Sequence, residues 1–290
     1  MIFDTHTHYD DQAFDEDKEI LLGRLKEEGI DTVVNIGASI RTSKSTLKLA
    51  EQYPFIYAAI GVHPNETAEL NEQHLDWLRD TAKHPRVVAI GEIGLDYYWK
   101  EPDREIQKFW FARQLDLAKE VHLPVVIHSR DAAQDTLDIM KEHAPHEAGG
   151  VIHCFSYGKE LAKEYLDMGF YIGIGGVVTF KNAKKLKEVV ESMPMDRMVL
   201  ETDCPYLSPE PLRGKRNSSL HLSYVVKAVS EIKGISQEEV MEITSANACR
   251  LYHFAPGQGF QAPEQSPLTE RNCPIDGTEI GKSPEDHRDY

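Results

Sequence analysis

Cysteine is scarce in this chain of 290 residues, which has four cysteines and no pair separated by two residues. The wide spacing argues against a zinc knuckle and against a disulfide framework, so we expect free thiols. Cys154 and Cys204 adjoin polar residues that we single out below. Because neighbouring residues of a strand face opposite ways, we expect these two thiols to pack in the core.

A long apolar run is also absent, since no stretch approaches the roughly 18 consecutive apolar residues of a membrane span. The N-terminal segment MIFDTHTHYDD has no basic region followed by an apolar run and a small-residue cleavage site. We therefore expect a cytoplasmic protein with no membrane partner and no obligate protein partner.

Positive charge is in deficit, with 32 Lys and Arg against 48 Asp and Glu, a net charge of −16. This excludes a basic, DNA-coating protein. An acidic surface repels phosphate backbones, so any nucleic-acid substrate must be held by a local positive cluster or by bound cations. Hydrophobic residues make up 41% of the chain, enough to bury a sizeable core.

Short β-branched or apolar runs alternate with segments of helical apolar spacing, which is the pattern of βα units around a parallel sheet. The predicted strands are Ile2 to Thr5, Thr32 to Ile36, Phe55 to Ile60, Val87 to Gly91, Pro124 to Ile127, Gly150 to His153, Phe170 to Ile174 and Met198 to Thr202. The predicted helices are Asp17 to Glu28, Ile40 to Gln52, Glu72 to Lys83, Arg104 to Val121, Ala132 to Glu142, Lys159 to Met168, Asn182 to Ser192, Leu220 to Lys233 and Gln237 to Tyr252.

Eight such repeats predict an α/β fold, a (β/α)₈ TIM barrel over residues 1–254 with an extra C-terminal helix. The alternative is a doubly wound open sheet, whose polar residues would collect at one crevice only. Here polar residues follow nearly every predicted strand, which favours the barrel. Residues 255–290 are rich in Pro, Gly and charge without apolar periodicity, and we expect a disordered or loosely attached tail.

Imidazoles and carboxylates stand at the ends of the predicted strands. His6 and His8 are two residues apart on an extended chain and so face the same way. Glu92 interrupts an apolar run between two glycines, which suggests a close backbone approach to something bound. His128 and His153 each end an apolar run in successive strands. Asp203 follows the eighth run.

These six side chains exceed the needs of one tetrahedral ion and suit two divalent cations bridged by a carboxylate. Nitrogen and oxygen ligands without thiolate allow Mg²⁺, Mn²⁺, Zn²⁺ or Ni²⁺. Such cations would activate a hydroxide for hydrolysis, and Asp203 is the candidate base that accepts the proton of the water. The predicted metal ligands are His6, His8, Glu92, His128, His153 and Asp203.

Basic residues near the predicted mouth are candidates for binding substrate. Arg130 lies two residues after His128, and a cluster with Arg213 and Lys215 follows the eighth strand. These groups could clamp phosphates, although a solvated surface run is the usual role of such a cluster. His63, after the third strand, is a candidate to position a phosphate oxygen or to protonate the leaving group, and the alternative is that it orients a ligand.

Several motifs resemble the TatD family of metal-dependent deoxyribonucleases, within the amidohydrolase superfamily. They are DTHTH, GVHP, GEIGLDY, PVVIHSRDA, HCFS, GFYIGIGGVVTFKNAKKL, ETDCPYL and RGKRN, and the resemblance runs from Ile2 to about Phe254. The resemblance implies a (β/α)₈ barrel that hydrolyses DNA phosphodiesters, with exonuclease action on single strands in some members. It also implies the six metal ligands above, with Glu92 as a catalytic residue that bridges the two cations. Family members often have RGKRNEP after the eighth strand, whereas this chain has Ser218 and Ser219 in place of the last two residues. Members usually have HCFSG where this chain has Tyr157 between Ser156 and Gly158. Both changes lie in loops at the mouth and bear on substrate preference.

Three functions remain open from the sequence. The first is a deoxyribonuclease, an exonuclease that acts on single-stranded DNA or DNA ends. The second is an amidohydrolase that cleaves C–N or ester bonds of a small molecule, which the same ligands could support. The third is a non-catalytic barrel that binds a partner through its mouth or tail.

Overall fold

Eight parallel strands pair in chain order, each with the next, and the predicted (β/α)₈ barrel is confirmed. The computed structural model describes residues 1–144 and 149–254, so the tail predicted for 255–290 lies outside the described residues. The strands are β1 (Ile2–Thr7), β2 (Ile30–Ile36), β3 (Ile56–Ile60), β4 (Val87–Asp96), β5 (Val125–Arg130), β6 (Gly150–Ile152), β7 (Tyr171–Ile174) and β8 (Met198–Leu200).

Helices follow the strands around the outside of the barrel, each burying one apolar stripe. Ser39 and Thr42 form a capping box at the start of the second helix, which satisfies backbone donors that a helix end leaves free. The helices are α1 (Lys18–Leu25), α2 (Ile40–Gln52), α3 (Glu72–Thr81), α4 (Arg104–Val121), α5 (Ala133–His143), α6 (Lys159–Asp167), α7 (Lys184–Ser192), α8 (Leu222–Lys233) and α9 (Gln237–Leu251). None of the helices in the described ranges is both long and apolar enough to cross a bilayer.

The seam of the barrel lies between β1 and the segment after β8. Thr7 forms a parallel bridge with Cys204. The Asp203 amide donates to the His6 carbonyl at 3.0 Å, and the His8 amide donates to the Cys204 carbonyl at 2.8 Å. The two ends of the sheet are therefore joined at the level of three predicted ligands.

The extra helix covers the amino ends of the strands. Tyr252, directly after α9, stacks on Phe3 at the start of β1 with ring centroids 5.9 Å apart, and its hydroxyl donates to the Thr5 carbonyl at 2.9 Å. Phe254 packs on Tyr57 with centroids 4.5 Å apart. With this end covered, the carboxyl ends of the strands are the accessible mouth of the barrel.

Two glycines of β4 allow a close approach between β4 and β5. Gly94 has φ +145°, and a Cβ there would lie 1.9 Å from the His128 carbonyl oxygen. A Cβ on Gly91 would lie 2.6 Å from the Cβ of Val126. The expectation that these glycines admit a bound ligand was wrong, because the space that they leave is occupied by the neighbouring strand.

Candidate metal centre

The six residues that the sequence nominates as metal ligands meet at the carboxyl end of the barrel. Residues at this end of parallel strands share one mouth, so side chains far apart in sequence come together. They lie within a strand or up to three residues after it, on β1, β4, β5, β6 and β8: His6, His8, Glu92, His128, His153 and Asp203.

One oxygen of Glu92 faces a first group of ligands, half-site A, formed with His6, His8 and Asp203. Glu92 Oε2 lies 3.6 Å from His6 Nε2 and 4.0 Å from His8 Nε2. Asp203 Oδ1 lies 3.7 Å and 3.4 Å from the same two nitrogens, which are 3.1 Å apart. Donors bound about 2.0–2.2 Å from one cation have separations of this order, so half-site A can hold an ion.

The other oxygen of Glu92 faces half-site B, formed with His128 and His153, and His63 lies beside them. Glu92 Oε1 lies 2.9 Å from His128 Nδ1, 3.8 Å from His153 Nε2 and 3.8 Å from His63 Nε2. A carboxylate with one oxygen toward each group is placed as a bridging ligand would be. His63, predicted from the sequence to bind substrate, lies beside half-site B, but its Nδ1 accepts the Asn65 amide at 3.2 Å, so Nε2 carries the proton in the neutral ring and can donate to a substrate oxygen.

His8 in half-site A and His128 in half-site B are each oriented by a polar partner on the far side of the ring. The carbonyl of Ile36 can only accept a hydrogen bond, so His8 Nδ1, at 3.0 Å, carries the proton and leaves the Nε2 lone pair free in the neutral ring. His128 Nε2 lies 3.2 Å from Asp96 Oδ2, which directs Nδ1 toward Glu92. Carbonyl and carboxylate partners of this kind orient metal-binding imidazoles in proteins generally.

The ionisable groups of the centre differ in their protonation. Burial alone would raise the pKa of the Glu92 carboxyl, but the surrounding imidazoles, with His63 first, hold that pKa well below its usual range. Burial, reinforced by His128, lowers the pKa of His63 to about 3. Burial and the neighbouring His153 likewise lower the pKa of His6. Burial opposes a charge on His8 and His128 as well, but Asp203 raises the pKa of His8, and Asp96 with Glu92 raises the pKa of His128. A cation at these two imidazoles therefore has to displace a proton, whereas Glu92 and His6 already have the charge state that binds metals.

Glu201 is a buried residue of the centre that the sequence reasoning missed. Its Oε1 accepts the Cys154 amide at 2.6 Å and lies 3.2 Å from His153 Nδ1, although that nitrogen is not aligned for a hydrogen bond. Burial opposes a charge on His153, but Glu201 raises the pKa of the imidazole to about 10. A cation at Nε2 therefore has to displace a proton that Glu201 stabilises.

We expect Glu201→Gln to weaken metal affinity and turnover by about 10- to 100-fold, because the amide removes the charge that orients His153 and increases its basicity. Metal titration and hydrolysis rates of the parent and the variant measure this effect. Thermal melts serve as the control, since Glu201 fills the space beside Gly173, where a Cβ would lie 2.5 Å from Oε2. Unchanged metal affinity in a folded Glu201→Gln variant would contradict the assignment.

The side chains that line the cavity carry an excess of negative charge. Six carboxylates and two guanidiniums line the cavity, which leaves four negative charges: Asp10, Asp11, Asp15, Glu92, Asp96, Asp203, Arg41 and Arg130. Two divalent cations would balance that excess, and the residues present therefore fit the implied metals.

A buried network supports the ligands on either side of the seam. Asp4 accepts hydrogen bonds from the Thr202 amide at 3.0 Å and from the Ser219 hydroxyl at 2.6 Å. The Tyr9 hydroxyl donates to Ser219 Oγ at 2.8 Å. Burial raises the pKa of Asp4 to about 7 despite these donors. Ser219, one of the two residues that depart from the family motif, thus has a structural role beneath the centre.

The cavity above the centre has a volume of about 850 Å³ and is lined by part of the basic set nominated from the sequence. Arg130 lines it, as does Arg41, which the sequence reasoning missed. Arg213 and Lys215 are absent from the described residues that line it. Both are exposed, and the Arg213 guanidinium lies 4.5 Å from the Phe180 ring centroid. Their contact with substrate stays a prediction.

The two cysteines beside the centre differ. Cys204 is fully buried, as expected for core packing. Cys154 was expected to face away from the ligands, but its Sγ lies within 4.8 Å of ligand atoms of His153 and Asp203. Cys154 has φ +45°, so the chain has left the regular strand and residue alternation no longer holds.

The fold and this set of imidazoles and carboxylates define a barrel of the metal-dependent hydrolase class. A family model described as TatD related DNase matches residues 3–253. The chain therefore belongs to the TatD family.

Relatives and a solved structure agree with this membership. The uncharacterized metal-dependent hydrolase YabD of Bacillus subtilis is 46% identical over 254 residues, 88% of this chain and 100% of the relative. The 3'-5' ssDNA/RNA exonuclease TatD of a Rahnella species is 34% identical over 257 residues, 87% and 98% of the two chains. The crystal structure of YJJV, a TatD homologue from Escherichia coli, superposes with a TM-score of 0.82 at 30% identity, over 87% of this chain and 98% of the other.

Proposed function

We propose that this metal-dependent hydrolase is a deoxyribonuclease, an exonuclease that cleaves phosphodiester bonds with the help of two divalent cations. The observation that carries the proposal is the position of Glu92, whose two oxygens face two separate groups of ligands in a cavity that also contains Arg41 and Arg130. The exonuclease name of the Rahnella relative supports a nucleic-acid substrate. A cytoplasmic location and a preference for single strands or ends belong to the same proposal.

The ligands of the two half-sites would hold the cations, with His6, His8 and Asp203 on one side and His128 and His153 on the other. Divalent cations, when bound, supply Lewis acidity that lowers the pKa of water and offsets charge on a phosphate. Glu92 contacts both groups and fixes their separation.

Asp203 is the residue that we assign as the base. Its Oδ1 lies 3.4 Å from His8 Nε2 and 3.9 Å from His153 Nε2, and its side chain is 17% exposed where it borders the cavity. A carboxylate at this boundary can accept the proton of an attacking water. The turn after it is fixed by the Tyr206 amide, which donates to the Asp203 carbonyl at 2.9 Å. Asp203 therefore keeps its orientation as the proton is transferred.

The substrate phosphate would meet the arginines of the cavity. Arg41 lies at the start of α2 and Arg130 at the end of β5, so they approach from different walls. Guanidinium donors match phosphate oxygens and stabilise the charge that gathers there during cleavage. His63 receives the Asn65 amide at Nδ1, at 3.2 Å, which leaves Nε2 directed toward the centre.

Chelation tests the dependence on metal. We expect parent protein treated with EDTA to lose cleavage of end-labelled single-stranded DNA, and to regain it when Mn²⁺ or Mg²⁺ is added. Product sizing on gels distinguishes stepwise shortening from internal cutting. Cyclic amides and lactones, assayed in parallel, represent the amidohydrolase alternative. DNA cleavage that ignores chelation, or amides that react faster than oligonucleotides, would contradict the proposal.

A further inference from the structure

The rim of the cavity carries large aromatic side chains that remain exposed. Trp99, in the loop after β4, is 55% exposed and lines the cavity, and its neighbour Tyr98 is 55% exposed. Tyr206, after β8, is 53% exposed and also lines the cavity. Proteins usually bury such side chains, so exposure at a ligand cavity indicates a recognition surface.

These aromatic groups lie on opposite sides of the mouth. β4 and β8 are four strands apart in a closed ring of eight, so the loops that follow them face each other across the centre. The proposed metal ligands lie between the two loops. A nucleic-acid strand that crosses the mouth with one phosphate at the metal centre would therefore pass one aromatic ring on each side of that phosphate.

The Trp99 side of the rim is held rigidly relative to the ligands. Asp96 Oδ1 accepts the Tyr98 amide at 3.0 Å, and the other oxygen of the same carboxylate contacts His128 Nε2 at 3.2 Å. Trp99 packs edge to face on Tyr98 with centroids 5.0 Å apart. The Arg130 guanidinium lies 3.9 Å from the Tyr98 ring centroid. The Arg130 charge beside the rings of Tyr98 and Trp99 suits a ligand that has both bases and phosphates.

The Tyr206 side is fixed as well. The Tyr206 hydroxyl donates to Asp11 Oδ2 at 3.0 Å, which restrains the ring. The ring centroid lies 6.3 Å from that of His8 in half-site A. Tyr206 therefore stands beside the centre with much of its ring open to solvent.

On the basis of the proposed function, we propose that Trp99 and Tyr206 are base-stacking positions for the unpaired nucleotides on either side of the scissile phosphate. Aromatic rings stack on any base and so bind single strands without sequence preference. In a duplex the bases are already paired and stacked and cannot reach these rings. The two residues would thus make the enzyme selective for single-stranded substrate.

Ring removal tests the proposal. We expect Trp99→Ala and Tyr206→Ala each to raise KM for single-stranded oligonucleotides at least about fivefold, the lower end of measured stacking contributions, with a smaller effect on kcat. Trp99→Phe and Tyr206→Phe keep a ring and should stay close to the parent. Phe109→Ala is the matched control, because Phe109 is 54% exposed on α4 and is not among the described residues lining the cavity.

Abasic substrates identify the stacked nucleotides. In the parent, removing a base at one position near the cleaved end should raise KM, and Trp99→Ala should be insensitive to the same change. Tyr206→Ala should be insensitive at a different position. If both variants respond to abasic positions as the parent does, the rings do not stack on the substrate, and the inference is overturned.

Binding without cleavage separates this inference from the proposed function. Single-stranded DNA added to the metal-loaded Asp203→Asn protein, which should bind DNA without cleaving it, should quench tryptophan fluorescence, and the quenching should shrink when Trp99→Phe is added to this variant. Equal quenching in both proteins would overturn the role of Trp99. If the difference appears but the parent cleaves no DNA under any metal, the proposed nuclease activity alone is overturned.

Discussion

Glu92→Ala is expected to lower turnover of DNA by about 1,000-fold or more, because it removes the carboxylate whose two oxygens face the two half-sites. Metal ions supply several kcal/mol of transition-state stabilisation, and each 1.36 kcal/mol corresponds to a factor of ten in rate. Steady-state rates on end-labelled single-stranded DNA measure the effect. Elemental analysis of the purified variant should show less metal per chain than the parent holds.

Two further variants make the Glu92 result specific. Asp203→Asn should also abolish most turnover, since an amide cannot accept the proton of the water, but should retain more metal than Glu92→Ala. Glu120→Ala is the matched control, because Glu120 is an exposed carboxylate that pairs with Arg79 at 2.7 Å, away from the mouth. Parent-like digestion by Glu92→Ala and Asp203→Asn would show that the catalytic assignment is wrong.

Gly94→Ala is expected to destabilise the fold by about 3 kcal/mol or more. The new Cβ would lie 1.9 Å from the His128 carbonyl oxygen, and φ +145° is unfavourable for any residue with a side chain. Urea unfolding of the parent and the variant, followed by circular dichroism, measures the change. The same substitution should disturb the centre, since the displaced carbonyl belongs to a predicted ligand.

Gly29→Ala is the matched control for Gly94→Ala. Gly29 also has positive φ, +82°, but a Cβ there would meet no atom within 4 Å. Its cost should be limited to backbone strain, about 1–2 kcal/mol. If the two substitutions lower the free energy of unfolding equally, the close approach of β4 to β5 does not contribute to the cost of Gly94→Ala.

The fold could be predicted because each strand contains an apolar run and each helix an apolar stripe. Where those signals stop, the predicted boundaries were wrong. β4 continues five residues past the predicted end at Gly91, since a buried Glu92 and two glycines break the apolar pattern without breaking the strand. β5 likewise continues to Arg130, which pairs with Asp96 in the extended register.

The candidate ligands could be predicted because each follows or interrupts an apolar run. Glu201 gave the same signal, since it directly follows Leu200, but the sequence analysis selected Asp203 two residues later, and the contact with His153 Nδ1 at 3.2 Å shows the role of Glu201. Arg41 could not be predicted as a cavity residue for another reason. It lies at the start of an outer helix, and its position in the cavity depends on the three-dimensional fold.

The seam of the barrel has a consequence for how the protein responds to its cations. His6 and His8 come from the beginning of the barrel and Asp203 from near its end, and they meet only when β1 closes against the segment after β8. An ion held by these three residues would link the first strand to the segment after the last strand. Because the ion binds the closed barrel, its binding free energy stabilises the folded state, and the melting temperature should rise with metal concentration.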